Sequence, residues 1–182
     1  MKTILNEINL GKIKLREINN NDYIDFYICG IDKLMCETLN WGPLKEKVEA
    51  MVLIKDVFNK RIEDGIPKGY AIVIDNHMVG MIDYHSYDIL NNSIEIGYFL
   101  RSDYWGKGIM NKCLNKVIEQ AFYFHDCDKV IIGSDIENKR SLNLILKNKL
   151  KYDHEEYVNY KNKMHLIKYY SIYKYEFGGL KW

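Results

Sequence analysis

A glycine-punctuated turn, Tyr104-Trp105-Gly106-Lys107-Gly108-Ile109-Met110, constrains this chain more than any other stretch. It follows an apolar extended run, Ile94-Glu95-Ile96-Gly97-Tyr98-Phe99-Leu100. It opens a helix whose Met110, Cys113, Leu114, Val117, Ile118, Ala121 and Phe122 recur at the helical period. A strand led through glycines into a helix N-terminus suits a phosphate group. The glycines admit close backbone approach, unpaired N–H groups point outward, and the helix dipole favours negative charge.

Two familiar phosphate loops do not fit. A Walker loop places four residues between its glycines and follows the second with Lys-Ser/Thr. Here a single lysine separates Gly106 from Gly108, and Ile109 follows. A dinucleotide fingerprint needs a third glycine where Asn111 stands. Asp126 and Asp128 lie at about the right distance for its ribose-binding acid, but they precede the next strand instead of ending it.

The chain of 182 residues suits a single domain, 1–182, with a sizeable core. Its net charge of +1 gives no global attraction to nucleic acid or membrane, so neither is expected as a partner. No stretch reaches the roughly 18 apolar residues of a membrane span. Met1-Lys2-Thr3 opens no secretory signal, and a cytoplasmic protein is expected. Cys29, Cys36, Cys113 and Cys127 form no C-x-x-C pair and read as free thiols. His125-Asp126-Cys127-Asp128 has metal-binding residue types without a zinc spacing, so no metal is expected.

Periodicity sets out the elements. Lys12 to Arg16 alternates as a strand, and Asn20 to Cys29 reads as a helix capped by an Asn/Asp cluster. Leu44, Val48, Met51, Val52, Phe58 and Ile62 mark the apolar face of a second helix, between Pro43 and Pro67. Tyr70–Ile74 and Met78–Tyr87 form a hairpin around Asp75-Asn76-His77, and Ser93–Leu100 follows. After the glycine loop and its helix, Lys129–Gly133 is a buried-type strand, parallel to its predecessor by right-handed crossover. Leu142, Ile145, Leu146 and Leu150 mark a last helix, and Tyr152–Tyr160 and Met164–Phe177 a closing hairpin.

The loop and its neighbours resemble the GNAT acetyltransferase superfamily. Its acetyl-CoA loop reads Q/R-x-x-G-x-G/A, with Trp105 at the Q/R place, Gly108 at the central glycine and Met110 at the final small residue. Trp before Gly-Lys-Gly is common in the Rim branch, which acetylates ribosomal-protein N-termini. Asn138-Lys139-Arg140-Ser141 leading to Lys149-Leu150-Lys151-Tyr152 matches the family's N-x-x-S/A before K-L-G-F. The element order is also the family's, so the resemblance runs from about Lys12 to Phe177.

The resemblance implies an α/β fold: a mixed, mostly antiparallel seven-stranded sheet splayed between its fourth and fifth strands, with four helices on its faces. It implies acetyl-CoA as co-substrate, with the arm between the splayed strands against Gly97, Tyr98, Phe99 and Leu100. Trp105, Gly106, Lys107, Gly108, Ile109 and Met110 would hold the diphosphate, and Asn138 and Ser141 would lie beside the arm. Asn138 also reads simply as a helix cap. A flexible Gly97 would suit a bulge or relieve packing.

Acetyl transfer to an amine requires a neutral nucleophile, oxyanion stabilisation and a proton for the leaving thiolate. An α-amine with pKa near 8 is about one-tenth neutral at pH 7, a lysine far less. Glu95, a carboxylate interrupting an apolar strand, is the candidate base through water; a wet face or an ion pair would also explain it. Backbone N–H groups near Tyr98 would hold the oxyanion. The family's acid, a Tyr seven residues after the Asn, is Ile145 here. Ser141 is the substitute that the Rim branch implies, with Tyr84 or a hairpin tyrosine as alternatives. Trp41 and Tyr84 are the candidate acceptor-site residues, although Trp41 could equally pin its loop.

The expected activity is direct acetyl transfer to a primary amine, foremost a protein N-terminal α-amine, by a monomer or homodimer. A polyamine or aminoglycoside is the alternative acceptor. A catalytically idle acyl-CoA-binding module is the alternative class, because Met110 could crowd the pyrophosphate.

Overall fold

The computed structural model describes residues 1–177. The expected domain 1–182 ends in five residues that lie outside the described residues. Among these residues eight strands form one sheet: β1 (Ile8–Leu10), β2 (Ile13–Glu17), β3 (Tyr70–Ile74), β4 (His77–Asp88), β5 (Ser93–Leu100), β6 (Lys129–Asp135), β7 (Lys151–Tyr160) and β8 (Lys163–Tyr173). Their spatial order is β1-β2-β3-β4-β5-β6-β8-β7.

The sheet has one strand more than the seven expected. β1 pairs antiparallel with β2 across a turn at Gly11, whose φ of +74° is a left-handed conformation that glycine adopts without steric cost. Its signal was present: Ile8, Leu10, Ile13 and Leu15 alternate around Gly11-Lys12. The β3–β4 hairpin turns on Asp75 and Asn76, both at positive φ, as a two-residue type I′ loop requires. β8 ends at Tyr173, not Phe177, because Lys174–Phe177 form a helical turn, α6.

Among the described residues only β5 and β6 run parallel, and their pairing covers Ser93–Glu95 against Lys129–Ile131. Both strands continue, to Leu100 and Asp135. Beyond Glu95 and Ile131 they diverge, leaving main-chain groups of β5 unpaired on that side. This is the splay expected between the fourth and fifth strands of the seven-stranded scheme.

Helices cover both faces. On one lie α1 (Tyr23–Gly30), α2 (Lys33–Cys36) and α3 (Lys47–Leu53), α3 continuing through a π turn, Ile54–Phe58, and a 3-10 turn, Asn59–Ile62. On the other lie α4 (Ile109–Tyr123) and α5 (Lys139–Lys147). Strand alternation feeds two cores: Ile94, Ile96 and Leu100 pack with Cys113, Leu114, Val117 and Ile118 of α4, whereas Phe99 and Met81 pack with Phe26, Ala50 and Ile54. Full burial of such a Leu, Ile or Phe is worth roughly 1.5–3 kcal/mol.

The second helical segment differs from its expected facing. Ala50, Ile54 and Phe58 are buried, while Val48, Met51, Val52 and Ile62 point outward. Apolar residues occur on both sides of this segment. Spacing alone therefore chose Phe58 correctly and Val48, Met51, Val52 and Ile62 wrongly, and Phe58 packs on Phe26.

Candidate active site

The glycine loop is braced from below. Trp105 Nε1 donates to Leu100 O at 2.7 Å, and Ser102 N donates to Asp32 Oδ2 at 2.6 Å. The Arg140 guanidinium stacks over the Trp105 ring at 4.3 Å. Gly106 and Gly108 sit at φ of +73° and +72°, and a Cβ on either would meet no atom within 4 Å. Gly108 is the N-cap of α4 and offers no side-chain cap, so the first N–H groups of this long helix stay free.

These groups line a cavity of about 430 Å³ with Tyr104, Met110, Asn138, Ser141 and Lys147. Glycine backbone, a helix N-terminus and the cations Arg140 and Lys147 surround one space, an arrangement that favours an anion. Ile109 and Met110 line it too, and Met110 is half-buried against the core. Lys107 does not line it. The Lys107 Nζ folds back to Asp103 O at 2.8 Å.

A second cavity, of about 570 Å³, occupies the other side of the splay. Trp41, Arg61, Asp83, His85, Glu95 and Asp135 are among its walls. Both cavities include Thr38, Leu39, Tyr98, Phe99, Asn138 and Ser141. They therefore meet at one place, where the Tyr98 hydroxyl and Ser141 Oγ are 2.9 Å apart. Burial pushes the Tyr98 phenol up to about 12 despite the Ser141 hydrogen bond, so it carries its proton at neutral pH. Asn138 Oδ1 accepts from Ser141 N at 3.1 Å, so the helix cap and the cavity wall are the same residue.

The second cavity is rich in charge. Glu95 Oε1 lies 3.1 Å from His85 Nε2. Arg61 pairs with Asp83 and donates to Tyr84 O. Asp135 accepts from Tyr160 and lies 2.6 Å from His165 Nδ1. Burial would raise the Asp135 carboxyl, but hydrogen bonds from Glu137 N, Tyr160 and His165 hold it below its ordinary value. The bulge falls in β4, where His85 is the unpaired residue between Tyr84 and Ser86. Gly97 instead makes room: a Cβ there would lie 3.1 Å from His85 Nδ1 and 3.4 Å from Asp83 Oδ1.

Glu95, Tyr98, Phe99, Ser141 and Trp41 thus come together as expected. Trp41 both lines the second cavity and stacks on Phe26 at 5.5 Å, so pinning and lining coexist. Tyr84 does not join them. It is fully buried, its hydroxyl donates to Val117 O at 2.8 Å, and burial holds its phenol well above the ordinary value. Strand alternation turns it into the α4 face, away from the cavity. Tyr84→Phe is expected to cost about 1 kcal/mol in denaturant unfolding, as for loss of one buried hydrogen bond, with KM values unchanged.

His85, Asp83 and Arg61 line the second cavity and Arg140 the first, although the sequence did not single them out. Asp83 and His85 carried a signal: two polar residues, one apart, on a strand otherwise buried over Met78–Tyr84. Of His125-Asp126-Cys127-Asp128, His125 and Cys127 serve packing, while Asp126 and Asp128 are exposed. His125 abuts the Tyr84 ring at 5.1 Å, burial lowers it to about 4, and Cys127 is buried. Among the described residues, no helix is long and apolar enough to cross a membrane.

Comparison with known proteins agrees with this architecture. YdaF of Bacillus subtilis, named as a ribosomal N-acetyltransferase, is 33% identical over 78 residues, which is 43% of this chain and 42% of that protein. This chain therefore matches under half the length of that relative. The spermidine N(1)-acetyltransferase of Escherichia coli strain K12 is 21% identical over 135 residues, 74% of this chain and 70% of its own length. The structure of RimL, a ribosomal-protein α-N-acetyltransferase in complex with coenzyme A, superposes with a TM-score of 0.82. At 18% identity, covering 92% of this chain and 98% of that one, the likeness concerns the fold. The profile of the acetyltransferase (GNAT) domain matches residues 12–151, so the chain belongs to the GNAT acetyltransferase family.

Proposed function

We propose that this acetyltransferase binds acetyl-CoA in the glycine-loop cavity and passes the acetyl group directly to a primary amine in the other. The reading rests on one observation: two cavities of different chemistry meet at the Tyr98–Ser141 hydroxyl pair, across an opened sheet. Gly106, Gly108, Ile109 and Met110 would hold the diphosphate through main-chain groups, supported by Arg140 and Lys147. Gly97 to Leu100 of β5, beyond the last residue paired with β6, would meet the amides of the pantetheine arm. Acetyl-CoA supplies an activated acyl thioester.

The chain's own residues then handle charge and protons. Main-chain N–H near Tyr98 stabilises oxygen charge at the splay. Ser141, hydrogen-bonded to a phenol that keeps its proton, supplies the proton that the leaving sulfur needs. Glu95, half-buried beside His85, drives deprotonation of the acceptor.

A protein N-terminal α-amine is the favoured acceptor. Its pKa lies near 8, against about 10.4 for a lysine, so less work is asked of the base. A polyamine is the second reading, favoured by Asp83, Glu95 and Asp135 in one wall and by the spermidine-acetylating relative. The test is release of free coenzyme A thiol across N-terminal peptides, polyamines and aminoglycosides. Release with peptides above the others is the expected result. Binding of acetyl-CoA without thiol release from any amine would make the chain an acyl-CoA-binding module instead.

A further inference from the structure

We propose that His85 Nδ1 is the atom that takes the acceptor's proton, and that Glu95 acts by holding the imidazole in the tautomer that can do so. The assignment rests on acetyl transfer being the reaction of this site, and adds which group performs its first proton step.

The geometry is that of an oriented base. His85 Nε2 lies 3.1 Å from Glu95 Oε1, so in the neutral ring that nitrogen carries the hydrogen and donates it to the carboxylate. The lone pair is then on Nδ1. Among the described residues Nδ1 has no hydrogen-bond partner, and it faces the α-carbon of Gly97, where a Cβ would stand at 3.1 Å. Gly97 lies on β5 just beyond the last residue paired with β6. His85 and Gly97 both line the second cavity, so the free lone pair stands in the wall of that cavity beside β5. His85 and Asp83, two apart on β4, share a face by strand alternation, and both stand beside Gly97.

The surroundings suit a proton acceptor near neutral pH. Burial pulls the imidazole down, but the Glu95 hydrogen bond and the Glu95 and Asp83 charges outweigh burial and Arg61, raising His85 above its ordinary value. Asp83 is itself paired with Arg61, from the turn following α3. On the far wall Asp135 holds Tyr160, and Tyr169 donates to Glu156, so their charges are engaged. A free carboxylate near 4.3 is a poor match for an amine, whereas an imidazole is a better one.

The step balances. The acceptor R–NH3⁺ gives one proton to Nδ1, leaving R–NH2 and an imidazolium paired with Glu95. The amine then forms the N–C bond as the C–S bond breaks. Its second proton reaches the sulfur by way of Ser141, and the imidazolium proton returns to water.

The test uses two variants of the full chain, with acetyl-CoA affinity measured by calorimetry. His85→Gln is expected to bind acetyl-CoA normally and to lose roughly 100-fold or more of kcat with an α-amine acceptor. The loss should shrink sharply with an aromatic amine, which is already neutral at the assay pH. His85→Ala should regain rate with added imidazole. Equal losses with both amines, or no rescue by imidazole, in variants that still bind acetyl-CoA would overturn the assignment. Wild-type protein that binds acetyl-CoA but releases thiol with no amine would overturn the transfer reaction itself, and the assignment with it.

Discussion

Gly108→Trp is expected to weaken acetyl-CoA binding by at least about 100-fold, or about 2.7 kcal/mol, while the protein stays folded. Two physical effects combine at this position. Gly108 sits at φ +72°, where a residue with a Cβ is strained by roughly 1–2 kcal/mol. That strain is a small part of a typical domain stability of about 5–15 kcal/mol. No atom lies within 4 Å of the added Cβ, so the side chain leaves the backbone without a clash. It fills the space over the start of α4, where the proposed diphosphate needs free N–H groups. Calorimetry with acetyl-CoA, together with thermal unfolding, separates lost binding from lost folding. A folded variant with wild-type affinity would remove the loop from the cofactor site.

Glu95→Gln is expected to lower kcat by about 100-fold to 1,000-fold and to leave acetyl-CoA affinity nearly unchanged. Gln keeps the shape of the side chain and removes its charge. The carboxylate is 25% exposed and its His85 partner 34%, so their interaction is only partly screened by water. Glu95 raises His85 by favouring the imidazolium. Without it the neutral ring, the form that accepts a proton, appears at lower pH. The acid limb of the kcat/KM profile should therefore move down in pH even as the rate falls. An unaltered rate and limb would show that Glu95 only fills the wall.

Much of the framework is legible in the amino-acid sequence. The strand-loop-helix around Gly106 and Gly108 could be read from apolar periodicity and from where the glycines interrupt it, because these are local properties of the backbone. The parallel β5–β6 pair followed from strand, helix, strand and the handedness of such crossovers. Asn138 as a cap and Ser141 in the first turn of α5 followed from the same local logic.

Other features were legible only in part. β1 was present in the alternation about Gly11 but is too short to stand out. The outward stripe of α3 and its continuation is as apolar as the buried one, so one-dimensional spacing could not choose between them.

By itself, the sequence determined the succession of elements, the acetyltransferase family and the position of the glycine loop. Each of these is carried by contiguous residues whose backbone preferences and side-chain period act within a few turns. Only the tertiary structure decided that Tyr84 belongs to the core, that Tyr98 and Ser141 share a hydrogen bond, and that His85 stands against Glu95. Those outcomes depend on strand register, on one bulge and on which face each strand turns to its neighbours. A shift of a single residue reverses them, so no local stretch of sequence could have specified them.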